Sequence, residues 1–211
     1  TILKSLCRIL PVSSGSVELS GKNLSAYTQK ELATRITYIG QLPANEFTVR
    51  EFIFFSRYPY LSPFKGITGE DRKKIEESMR ITFTSEFAGR KLSELSSGER
   101  QRVAVASALA QDTGIILFDE PATHLDPFYD SQISELIYSV KKSRNITVIN
   151  ATHNLNNAIK YSDRILAVKS RKIEFLKKAD ETGSEDMSRL FGIGFVSMEN
   201  PSDRKKVMIK L

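Results

Sequence analysis

Apolar positions in this chain alternate between short runs and stretches with helical spacing, so strand and helix are predicted to follow one another for most of its length. Ile2, Leu3, Leu6, Cys7 and Leu10 predict a helix over residues 1–10, and residues 15–22 predict a strand that runs into a turn at Gly21. Thr28 caps a short helix through Glu31, and Ile36-Thr37-Tyr38-Ile39 forms the strand that delivers Gln41. From Thr48 the spacing is helical, with Val49, Phe52, Ile53 and Phe55 on one broad face, until Arg57-Tyr58-Pro59-Tyr60-Leu61-Ser62-Pro63 breaks it. Thr68 and Asp71 make a capping-box-like start for a charged helix over 71–79, which together with the preceding helix reads as a helical insert.

A parallel core then resumes. Residues 114–119 are an apolar run ending in a carboxylate, followed by a helix over 127–142, a strand over 145–150, a helix over 155–161 and a strand over 164–168. The tail offers a strand at 173–176, a short helix around 187–191 and a terminal pair at 194–198 and 206–211. Strands that are apolar on both faces and alternate with helices imply a sheet covered on both sides by right-handed crossovers, with ligands at the carboxyl ends of its strands. There is no internal repeat and no low-complexity segment.

With 211 residues and 40% hydrophobic content, the chain suits one sizeable domain or one domain with an inserted subdomain. A formal charge of +6 leaves three readings open: nucleic acid, an anionic membrane surface, or a solvated surface with no specific partner. The basic residues are scattered rather than blocked, which favours the last, with attraction to inner-leaflet lipids second. Cys7 is the only cysteine, which excludes an intrachain disulfide and a cysteine-based zinc cluster; its apolar neighbours predict burial. No stretch approaches the roughly eighteen apolar residues of a membrane span, and the first residues lack the plan of a signal peptide, so the chain reads as cytosolic.

Two places carry chemistry. Asp119 and Glu120 sit where a buried strand emerges, a position suited to gripping Mg²⁺ and activating water, although an acidic pair there is often only the polar start of a loop. In Leu95-Ser96-Ser97-Gly98-Glu99, Ser96 and Glu99 form a capping box for a helix running to about Gln111. Capping alone explains that pattern, yet its small residues also leave backbone N–H groups and a positive dipole end open to an anion such as phosphate.

Gln41 after a strand, Leu95 to Glu99, Ile115-Ile116-Leu117-Phe118-Asp119-Glu120-Pro121, Leu125-Asp126 and His153 stand in one order along the chain. That order resembles the ABC ATPase family over nearly the whole chain, least in the tail. The resemblance implies a P-loop-NTPase-like α/β fold, a parallel sheet core incomplete at its N-terminus, with an α-helical signature subdomain. It assigns residues 1–44 and 113–180 to the core, 45–112 to the helical subdomain and 181–211 to a C-terminal extension. It also implies ATP and Mg²⁺ as cofactors. Asp119 and Gln41 would hold the metal, Glu120 would be the base, Gln41 would sense the membrane partner, and His153 would hydrogen-bond the γ-phosphate. By the same resemblance Leu95 to Glu99, with Ser96, Ser97, Gly98 and Glu99, would be the signature motif, Ser96 and Gly98 would contact a γ-phosphate bound by the opposite protomer, and Asp126 would be the D-loop aspartate.

Two departures stand out. Ser97 occupies the place of the first of two glycines, which implies slower turnover rather than its loss. No Gly-x-x-x-x-Gly-Lys-[Ser/Thr] loop occurs in these residues, so the polypeptide as it stands is expected to bind ATP poorly, and Thr1 is expected at the edge of that loop, with more chain upstream. Thr48-Val49-Arg50-Glu51, Arg57-Tyr58-Pro59-Tyr60, Gly69-Glu70-Asp71-Arg72 and Thr152-His153-Asn154-Leu155-Asn156 look like ATP-binding subunits of importers for ferric siderophores, haem and cobalamin. That branch implies a homodimer on the cytoplasmic face of the membrane, permease subunits docked near residues 47–60, and a substrate-binding protein reached through them. Phe52, Phe54, Phe55, Tyr58 and Tyr60 then serve either that interface or the subdomain core. A soluble family member acting on nucleic acid would carry longer insertions, so no nucleic-acid partner is expected; retention of both Asp119 and Glu120 speaks against a degenerate, non-hydrolysing subunit.

Overall fold

The computed structural model describes residues 1–42, 44–61, 66–121, 126–201 and 206–211; Ser62, Pro63 and Leu125, named above, lie outside them. The chain divides into two compact units, Thr1–Ala151 and Thr152–Leu211. In the first, α1 (Ile2–Leu6), β1 (Glu18–Leu19), β2 (Lys22–Asn23), α2 (Gln29–Ala33) and β3 (Ile36–Ile39) are followed by α3 (Val49–Phe55), α4 (Gly69–Ile81), α5 (Ser97–Gln111), β4 (Ile115–Asp119), α6 (Pro127–Arg144) and β5 (Thr147–Ala151). The second holds α7 (Leu155–Tyr161), β6 (Arg164–Lys169), β7 (Lys172–Lys178), α8 (Ser184–Phe191), β8 (Phe195–Glu199) and β9 (Lys206–Lys210).

β3, β4 and β5 form a parallel sheet in that order, with Tyr38 opposite Leu117 and Asp119 opposite Ala151. One face presents Ile116 and Phe118 to Val105 and Leu109 of α5 and Ile133 and Ile137 of α6. The other presents Ile36 and Leu117 to Leu6 and Cys7 at the end of α1, so Cys7 is buried as expected. Cover on that face stops short of β5, where Ile149 stays 40% exposed, because α1 has only five residues and spans about 7.5 Å. The helix predicted over 1–10 ends early because Arg8 takes a left-handed backbone (φ 56°) and gives its guanidinium to the carbonyls of Leu24 and Tyr27.

The helical insert has a core of its own: Val49 and Ile53 of α3, Met79 of α4 and Val103 of α5 are fully buried. α5 therefore packs on two sides, against the insert and against the sheet, which explains its almost unbroken Val103 to Ala110 run of small and apolar residues. Of the five aromatic residues left open above, Phe52 and Phe54 pack against this cluster, Phe55 and Tyr58 are exposed, and Tyr60 stacks on the Arg57 guanidinium.

The strand expected at 164–168 does not join the parallel sheet. β6 pairs antiparallel with β7 through a two-residue turn, Ser170-Arg171, both with positive φ, the turn that matches the twist of a tight hairpin. Residues 15–22 do run into a turn at Ser20 and Gly21, as predicted, but only Glu18 and Leu19 are strand, and beyond the turn the chain pairs back as the β1–β2 hairpin. In this second unit Ile159, Ala167, Phe175, Met187 and Met208 form the core, and the Asn156 amide bonds both backbone groups of Met208. Among the described residues no helix is long and apolar enough to cross a membrane.

Candidate functional site

Parallel register brings the carboxyl ends of β3, β4 and β5 side by side, and with them the segment after Ile39, the Asp119–Glu120 pair and Ala151. Glu120 is exposed and holds a left-handed backbone (φ 55°), costly by about 1–3 kcal/mol for a residue that is not glycine. Its N–H donates to the Ala151 carbonyl at 3.0 Å, which pins the strained residue to the end of the sheet. Asp119 is half-buried; its Oδ2 accepts a 2.8 Å hydrogen bond from the Tyr38 hydroxyl, and its Oδ1 accepts none among the described residues. Burial, reinforced by the bond to Asp119 and its charge, pushes the Tyr38 phenol up to about 12. Gln41 is exposed, and the next residue, Leu42, already packs against the core of the helical insert. Gln41 thus sits at the junction between sheet and insert.

A second group forms where α5 and α6 begin. Ser96 is the N-cap of α5: its Oγ accepts the Glu99 N–H and its own N–H donates to Glu99 Oε2 at 2.7 Å, the predicted capping box. That backbone hydrogen bond, against the opposing effect of burial, holds the Glu99 carboxyl below its ordinary value. Ser96 and Ser97 are exposed while Gly98 is buried under the ring of Tyr129, whose nearest carbon lies 3.4 Å from where a Cβ on Gly98 would stand. Asp126 caps α6, its Oδ1 accepting from the N–H groups of Phe128 and Tyr129, and Arg102 ties the two helices by donating to Gln132 at 2.9 Å. Ser96 to Glu99 and Asp126 therefore meet as neighbouring helix starts.

Thr1 is the exposed N-cap of α1 and makes no capping bond with its side chain. His153 is exposed in the turn between β5 and α7, where Asn154 caps α7 by accepting from Asn157 and Thr152 Oγ1 accepts the Asn154 N–H. Tyr38 and Tyr129 are contacts to which the motifs do not point. Strand alternation could have found the first, since Tyr38 shares a face with Ile36 and its register partner Leu117 shares one with Asp119. Nothing local marks Tyr129, 31 residues from the glycine it covers.

A family model described as ABC transporter matches residues 1–123. The petrobactin import ATP-binding protein FpuD of Bacillus anthracis is 32% identical over 191 residues, 90% of this chain and 70% of the relative. The iron(3+)-hydroxamate import ATP-binding protein FhuC of Bacillus subtilis is also 32% identical, over 99% of this chain and 79% of its own length. The ferric enterobactin transport ATP-binding protein FepC of Escherichia coli is 30% identical over 95% of this chain and 75% of its own. Among solved structures, an inward-facing metal-chelate type ABC transporter superposes with a TM-score of 0.85 at 20% identity, over all of this chain and 81% of the other, a likeness of fold. A dimeric, post-hydrolysis ATP-binding cassette bound to ADP and phosphate superposes at 0.71 with 26% identity, over 86% of this chain and 80% of the other.

Proposed function

Because this chain belongs to the ABC transporter family of ATP-binding subunits, we propose that it hydrolyses ATP, paired with a second copy, to drive uptake of an iron chelate through a membrane permease. The observation that carries this reading is the strand end where Asp119 and Glu120 emerge together, Glu120 strained and pinned to Ala151. Such strain persists only where surrounding structure holds it, and it clusters at sites of chemistry.

Mg²⁺ fits the donor set. No group of three or more His, Cys, Asp or Glu among the described residues could cage a metal by itself, and Mg²⁺ is commonly held by one or two carboxylates with phosphate oxygens and water. Asp119 and Gln41 would hold it; when bound, it neutralises charge on the phosphates. Glu120 accepts the proton of the attacking water, and His153 donates to the γ-phosphate. The start of α5 at Ser96, Ser97 and Gly98 offers a positive helix end to the γ-phosphate held by the partner copy, with Ser96 and Ser97 exposed there, Glu99 fixing Ser96 and Asp126 setting α6 against α5. Thr1 would stand beside the phosphates. Residues 1–44 and 113–180 would act as the catalytic core, 45–112 as the signature subdomain and 181–211 as an extension. The subunit would lie on the cytoplasmic face of the membrane, with Phe55 and Tyr58 toward the permease. Ferric siderophores are the favoured cargo, from the names of the similar proteins; haem and cobalamin are chelates of the same class.

The test uses the protein encoded by its complete gene. Glu120→Gln should lower Mg²⁺-dependent hydrolysis by roughly 10²–10⁴-fold while an ATP-dependent dimer accumulates on size exclusion. Hydrolysis unchanged by the substitution would remove Glu120 from the mechanism.

A further inference from the structure

We infer that Tyr38 is a positioning residue for the metal-holding carboxylate, an inference that rests on the role proposed above for Asp119. A carboxylate at a strand end rotates broadly about its terminal torsion. Here the Tyr38 hydroxyl donates to Oδ2 at 2.8 Å, a charge-assisted bond of the stronger kind, and so fixes that rotation. The donor is itself fixed. The Tyr38 ring packs against the cluster of Cys7, Ile36 and Leu117, and its strand is in register with β4 through Tyr38 and Leu117. With Oδ2 engaged, Oδ1, which accepts no hydrogen bond among the described residues, is presented as the free ligand atom. Gly40 belongs to the same device: a Cβ there would stand 3.2 Å from the Tyr38 hydroxyl, so glycine leaves the phenol its path. Tyr38 precedes Gln41 by three residues, and one short segment therefore delivers both the orienting donor and the proposed second metal ligand.

Outer groups that orient a ligand commonly change metal affinity by about 10–100-fold when removed. In the full-length protein, Mn²⁺ binding in the presence of a non-hydrolysable ATP analogue is read by electron paramagnetic resonance, and binding of the same analogue without metal by calorimetry. Tyr38→Phe should weaken Mn²⁺ about 10-fold and leave metal-free analogue affinity unchanged. Gly40→Ala, which displaces the hydroxyl without removing it, should shift Mn²⁺ affinity in the same direction by less, and it decides the matter if Tyr38→Phe fails to fold. Unchanged Mn²⁺ affinity in both variants, or parallel loss of metal and metal-free nucleotide binding, overturns the inference. Asp119→Asn separates the two levels: if it too leaves Mn²⁺ affinity intact, the role of Asp119 is what has failed; if it alone abolishes Mn²⁺ binding, Asp119 stands and Tyr38 falls.

Discussion

Arg57 and Asp71 are 5% and 6% exposed at their side chains, and neither ion can lie that deep without its partner. Asp71 Oδ1 accepts from the Arg57 guanidinium at 2.8 Å, Oδ2 closes the capping box with Thr68, and the remaining Arg57 nitrogen donates to the carbonyls of Ala110 and Gln111 at the end of α5. One pair thus joins the break after α3, the start of α4 and the end of α5. Arg57→Met should destabilise the first unit by about 3–5 kcal/mol in urea titrations, since it strands a buried carboxylate and two carbonyls. Adding Asp71→Leu should recover only part of that loss, because the cap of α4 goes with it, at about 1 kcal/mol. Burial pushes the Asp71 carboxyl up, but hydrogen bonds from Thr68 and the Arg57 guanidinium outweigh it and hold the group below its ordinary value. Its stabilisation is therefore fully present above the unfolded carboxylate value of about 4 and is lost as pH falls through the depressed folded value. Wild type should lose more stability than Asp71→Asn between pH 5 and pH 2; equal acid slopes would show that the pair contributes nothing to that dependence.

At the scale of elements, α5 separates a cap from a phosphate contact. Ser96→Asp preserves an N-cap acceptor of equal quality and puts negative charge at the positive end of the helix, so the melting temperature should hold. The same charge should repel the γ-phosphate of the partner site, so the ATP-dependent dimer of a Glu120→Gln background should fail to form. Survival of that dimer would reduce Ser96 to a cap. Caps were readable from the sequence because each is a four-residue event: the boxes opened by Thr28, Thr68 and Ser96 are all present, a further one at Thr48 starts α3, whose helix is predicted from spacing alone, and α7 and β3 fall on their predicted bounds. Pairing was less readable. An apolar run over 164–168 suits a buried parallel strand and a hairpin equally, and the Ser170-Arg171 turn that decides for β7 uses residues that rarely take positive φ. The candidate site divides along the same line, since residues at element ends were marked by local motifs, whereas the contacts of Tyr38 with Asp119 and of Tyr129 with Gly98 are long-range.

For the whole molecule, exposed aromatic surface is more telling than net charge. The +6 charge is scattered, but Phe47 and Phe55 form an edge-on pair, both 47% exposed, and Tyr58, one turn beyond, is 75% exposed. The exposed Glu46, Arg50 and Glu51 stand beside these rings, and aromatics bordered by charge are the composition of an interface centre with its polar rim. If the permease docks here, the contact should be dominated by these rings and should change little with salt, unlike attraction between surface charges, which is screened within about 10 Å at 0.1 M. A Phe55→Ser, Tyr58→Ser double substitution removes no buried side chain, so melting temperature and basal hydrolysis should stay near wild type. Binding to permease in detergent should weaken by about 30-fold, as expected when a hot spot of about 2 kcal/mol is lost. Phe83 provides the control, being 68% exposed at the end of α4 with no aromatic neighbour among the described contacts; Phe83→Ser should bind as wild type does. Equal binding by all three proteins would move the interface elsewhere, and equal weakening would mean that exposed aromatic area in general, not this patch, is what the permease reads.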